Sequence, residues 1–111
     1  MAELSTSVSE RDASLQGYEI ACHALKLRKC LEIQYNTFRR IIEVHRVGIS
    51  AKGEYILSGW QILGPASERV GWKLVNLDEP LQVRLTDIPS LAPRPDYRRG
   101  IKRFSEFFCQ L

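Results

Sequence analysis

Hydrophobic and polar positions change period twice along this chain. From Ser9, Leu15, Tyr18, Ala21 or Cys22, Leu25 and Arg28 recur at three- and four-residue steps, with Glu10 and Asp12 early and Lys26, Arg28 and Lys29 late. That spacing, with its charges set along the macrodipole, predicts an amphipathic helix that starts at Ser9 or just after Gly17. From Cys30 the period drops to two. In "CLEIQYN", Leu31, Ile33 and Tyr35 alternate with Cys30, Glu32 and Gln34, which predicts a half-buried strand.

Four more strands follow: "RIIEVHRVGI", "EYILSGWQI", "GWKLVNLD" and "LQVRLTD". Short Gly-, Pro- and Ser-containing turns separate them and leave no room for crossover helices, so the sheet is expected to be antiparallel or to close into a small barrel. "IPSLAPRPDYRRG" resists regular structure because its prolines fix φ and remove donors. After it, Ile101, Phe104, Phe108 and Leu111 stand at three- and four-residue steps and predict a closing amphipathic helix. The expected fold class is α+β, mostly β: a five-stranded antiparallel barrel flanked by an N-terminal and a C-terminal helix. Residues 1–8 read as a flexible terminus and 9–111 as a single domain.

Alternation also assigns faces. Tyr55, Leu57, Gly59 and Gln61 share one side of the third strand, and Ile56, Ser58, Trp60 and Ile62 the other. Trp60 and Trp72 each follow a glycine and are expected to pack the barrel and its helices, with Gln61 and Lys73 pointing to the opposite face. The glycines would relieve crowding or mark a bend.

Composition narrows the function classes. The chain has 111 residues, 44% hydrophobic and 26% charged, with a formal net charge of +3. Those values are typical of a globular domain and permit an anionic partner without requiring one. No stretch approaches the length of a membrane span and the first residues lack a secretory leader's pattern, so a cytoplasmic location and no membrane partner are expected. Cys22, Cys30 and Cys109 lack CxxC spacing and read as buried reduced thiols. No carboxylate lies at metal-ligand spacing from both histidines, His23 and His45, so no metal and no cofactor is expected. There is no GxSxG elbow and no phosphate-cradling glycine loop, which argues against an enzyme.

Basic residues gather around the first hairpin, at Arg39, Arg40 and Arg46, and near the end, at Arg94, Arg98, Arg99, Lys102 and Arg103. Tyr35, Arg40 and His45 are expected to share one face of the sheet, joined by Gln61 and Lys73. Guanidinium groups neutralise phosphate and aromatic rings stack on bases, so this set points to nucleic acid or a nucleotide as ligand. The C-terminal cluster is expected to add a secondary basic patch. A protein-interaction or homodimer module, docking through a strand edge or the "FSEFF" segment, is the alternative.

The run "LEIQY", "RRIIEVHRVGI", "GEYILSGWQ" and "GWKLVNLDEPLQVRLTD", closed by "PRPDY", is similar to the WYL domain, a family named for a tryptophan-tyrosine-leucine tripeptide on its third strand. The resemblance spans about Ala24 to Tyr97. It implies a small Sm-like barrel that binds a ligand, often nucleic acid or a nucleotide, in bacterial transcription regulation or phage defence. Tyr35 stands where the family closes its first strand with tyrosine, and Arg40 where it opens its second with arginine. Glu43, Val44 and His45 continue the match, with valine in place of the family's usual proline.

Overall fold

The computed structural model describes residues 16–99 and 102–111, so the first part of the expected N-terminal helix lies outside the described residues. Within them, α1 runs Gly17–Leu27, followed by β1 (Lys29–Tyr35), β2 (Phe38–Ser50), β3 (Tyr55–Leu63), β4 (Gly71–Asn76), β5 (Gln82–Pro89) and β6 (Phe104–Gln110). At the start of α1 the Glu19 carboxylate accepts the Gln16 backbone N–H at 2.9 Å, satisfying a donor that the first turn leaves orphaned. Arg28 ends the helix in the left-handed region, at φ 58°.

All six strands are antiparallel members of one sheet ordered β4-β3-β2-β1-β5, with β6 also on β2. β4 and β5 end the path unpaired with each other, so the sheet is open rather than the closed ring the sequence suggested. The length of β2 makes the branching possible: its first half, Phe38–Ile42, pairs with β1, and its second half, Arg46–Ser50, pairs with β6.

β6 occupies the place where the sequence suggested a helix. Its ladder slips twice, between Val47 and Gly48 and between Ile49 and Ser50 of β2, and these irregularities leave room for extra residues of β6. The three- and four-residue apolar spacing of "FSEFFCQ" is therefore satisfied by an irregular strand, for which phenylalanine has good propensity. Gly48 is required for the pairing: a Cβ there would lie 2.0 Å from the Glu106 carbonyl oxygen. A docking helix built on "FSEFF" is excluded by the same ladder.

The sheet has two covered faces. On the first, Ala21, Cys22, Ala24 and Leu25 of α1 pack on Leu31, Ile33, Ile42, Val44, Val47 and Leu57. A disulfide between Cys22 and Cys109 ties α1 to β6, so these two cysteines are not the reduced thiols expected from their spacing, which separates them by 87 residues. Cys30 is free and buried, and burial pushes its thiol up to about 11. Across the second face runs the proline-rich segment 90–99, irregular as expected and pinned along its length. Leu91 N–H donates to Glu43 Oε2 at 2.7 Å, Arg94 Nε to Glu43 Oε1 at 2.6 Å, and the Tyr97 hydroxyl to the His45 carbonyl at 3.3 Å. Among the described residues no helix is long and apolar enough to cross a membrane.

Candidate functional site

The first face is not covered to its end. Beyond the reach of α1, Tyr35 of β1, Arg40 of β2, Gln61 of β3 and Lys73 of β4 line one cleft of about 380 Å³, floored by Ile33, Val75 and Leu81. The register explains the convergence. Arg40 pairs with Ile33, Gln61 with Ile42 and Lys73 with Gly59, and in antiparallel pairs directly opposed side chains project to the same side. Gly59 lets β3 and β2 approach closely beside it, since a Cβ there would sit 2.5 Å from the Glu43 carbonyl oxygen.

Arg40 is the cleft's strongest group and is already engaged. Its Nε and Nη2 donate to the two oxygens of Glu68 at 2.9 and 2.6 Å, a bidentate fork. Its Nη1 donates to the Tyr35 carbonyl at 2.9 Å, and its Cζ stands 5.5 Å from the Tyr35 ring. Gln61 Nε2 donates to Glu68 Oε1 at 2.9 Å. The Arg40 and Gln61 bonds hold the Glu68 carboxyl down at about 2, with a further contribution from the Lys73 charge. Glu68 in turn raises the Arg40 pKa. The sequence reading missed Glu68. It lies in the aperiodic "GPASERV" loop, where no alternation assigns a face.

His45 does not join this cleft. The β2–β3 ladder shifts between Val44 and Arg46, and His45 falls at the irregularity on the second face, fully buried. Its ring lies 4.7 Å from Trp72 and 5.1 Å from Tyr97. Nε2 accepts the Arg94 backbone N–H at 2.9 Å, so the ring proton sits on Nδ1 and donates to the Glu43 carbonyl at 2.9 Å. Burial lowers its pKa first, assisted by the Arg46 and Arg94 charges and opposed by the Glu43 bond and charge. His45 therefore pins segment 90–99 to the sheet and does not face a ligand in the Arg40 cleft.

The tryptophans are also placed differently from the expectation. Trp60 and Trp72 pair across β3 and β4 with their rings 5.6 Å apart and nearly perpendicular, on the face opposite α1. They pack under segment 90–99, and the Arg94 guanidinium sits 5.2 Å from the Trp60 ring. Gln61 and Lys73 do point the other way, as alternation requires. The C-terminal basic residues divide: Arg94 is consumed by Glu43, while Arg98, Arg99, Lys102 and Arg103 are exposed. Among the described residues no three metal-ligating side chains gather.

In comparisons with known proteins, no family model, no curated protein and no solved structure matches this chain.

Proposed function

We propose that this protein is a non-enzymatic binding module of WYL-like type, an opened Sm-like barrel whose Arg40 cleft holds an anionic ligand: single-stranded nucleic acid or a nucleotide. The observation that carries the reading is the convergence of Tyr35, Arg40, Gln61 and Lys73, from four different strands, on one cleft. Glu68 occupies the Arg40 fork as a bidentate carboxylate, the geometry in which guanidinium also takes phosphate. A ligand phosphate takes Glu68's place, Lys73 adds charge, and the Tyr35 ring offers a stacking surface for a base. Function by binding alone fits a regulatory role in transcription or defence, in the cytoplasm of a bacterium.

The test is fluorescence anisotropy with a labelled single-stranded oligonucleotide at low and raised salt. Binding that weakens with salt, and weakens on Arg40→Ala, is expected because phosphate contacts release counterions. Salt-independent binding, or an Arg40→Ala protein that binds like the wild type, overturns the reading.

A second reading rests on a separate observation. β4 and β5 are open edges that carry exposed apolar side chains, Leu74, Leu85 and Ile88 among them. Such edges template strand pairing with another chain, here a second copy. Light scattering that gives only monomer across a wide concentration range removes it.

A further inference from the structure

The second face holds a cavity that the proposed function does not use. It measures about 410 Å³ and is lined by Arg46, Ser58, Trp72, Tyr97, Arg98 and Arg103, together with Asp96 and the Lys73–Leu74 stretch of β4. Three arginine side chains, Arg46, Arg98 and Arg103, thus meet one carboxylate, Asp96. The ladder irregularity beside His45 turns Arg46 to this side as well, because Arg46 pairs with Ser58 and Val47 with the core residue Leu57.

Arg46 is 4% exposed, and its partners are all neutral. Nη1 donates to Ser58 Oγ at 2.9 Å, Nη2 donates to the Arg98 carbonyl, and Cζ lies 4.6 Å from the Tyr97 ring. Its Nε is buried without an acceptor. The other inward-facing arginines are neutralised, Arg40 by Glu68 and Arg94 by Glu43. Among the described residues Arg46, Arg98 and Arg103 have no carboxylate within ion-pair distance. A buried cation with no counter-charge is destabilising, and an anion seated in the cavity removes that penalty. Trp72, 36% exposed, supplies an aromatic wall beside the cations.

We propose that this cavity is a second anion site that takes a phosphoryl group carried on a planar base, that is, a mononucleotide. The phosphate lies against Arg98 and Arg103 over the Arg46 charge, and the base lies against Trp72. The site is separate from the Arg40 cleft and does not rest on the reading given for it.

Because the indole of Trp72 lines the cavity, intrinsic fluorescence reports occupancy. Titration with adenosine 5′-monophosphate is expected to give saturable quenching that weakens with salt and that inorganic phosphate competes away. Exchanging the two rim cations, Arg98→Gln with Arg103→Gln, is expected to lower affinity at least about tenfold, the loss of charge-assisted contacts. These side chains are exposed, so the fold is retained when they change. Arg40→Gln is expected to leave the titration unchanged. No saturable quenching at millimolar nucleotide overturns the proposal, as does adenosine binding as tightly as its monophosphate, or a rim variant that binds like the wild type. Loss of the signal in Arg40→Gln assigns the nucleotide to the other cleft and equally overturns it.

Discussion

Glu68 sets the state of the Arg40 cleft. The Arg40 side chain is 13% exposed, so a ligand reaches its fork only as the Glu68 carboxylate leaves. Neutralising that competitor, by Glu68→Gln, is expected to raise affinity for an anionic oligonucleotide roughly tenfold, about the worth of one charge-assisted contact; anisotropy measures it directly. Glu68 is held below its ordinary 4.5, so the stability it contributes is present above about pH 4.5 and is lost as pH falls toward 2. His45 works in a higher window. Its folded pKa lies below 6.5, so its contribution is full above about 6.5 and is lost as acid drives it through its folded value. The groups around it are Glu43, Arg46 and Arg94, and the expected result is a lower melting temperature at pH 5 than at pH 7.5, with a flatter profile in His45→Phe. At this scale alternation made Tyr35, Arg40, Gln61 and Lys73 legible in the sequence. His45 stands an odd number of positions from Arg40, so alternation itself puts it on the other face, and the expectation that the two converge is at odds with the pattern. Arg46 was not legible, because a ladder irregularity between Val44 and Arg46 turns it to the side alternation denies it and leaves no mark in the hydrophobic pattern.

β6 and its disulfide dominate the scale of elements. Gly48 lets the β6 backbone approach, and Gly48→Ala is expected to destabilise the protein by about 1–3 kcal/mol, the usual cost of overpacking, in a urea unfolding series. The Cys22–Cys109 bond closes a long loop, and its loss is expected to cost about 2–5 kcal/mol. A thiol count on the denatured, unreduced protein checks the pairing: one thiol, Cys30, is expected, and three contradict it. Disulfides persist in oxidising surroundings, so that count also bears on the proposed cytoplasmic setting. Five of the strands were readable from period-two runs and punctuating turns. β6 was not, because spacing at three and four residues fits both a helix and an irregular strand, and only the unpaired half of β2 decides between them.

The whole molecule is a sheet with two different covers: α1 on one side and segment 90–99 on the other. The helix stops short and leaves the Arg40 cleft, whereas segment 90–99, held by Glu43 and His45, leaves a cavity beside Arg46. β4 lies between the two, since Lys73 and Leu74 border both. The antiparallel α+β character was legible from turn spacing, but closure depends on whether β4 and β5 meet, a contact between strands distant in sequence that local patterns do not encode. The most direct measurement is a nitrogen-15 NMR titration with a short single-stranded oligonucleotide at low salt. Shifts at Tyr35, Arg40 and Lys73 are expected, together with movement of the Gln61 side-chain amide as Glu68 is displaced. Binding that leaves those signals in place, or no shift anywhere, contradicts the proposed function.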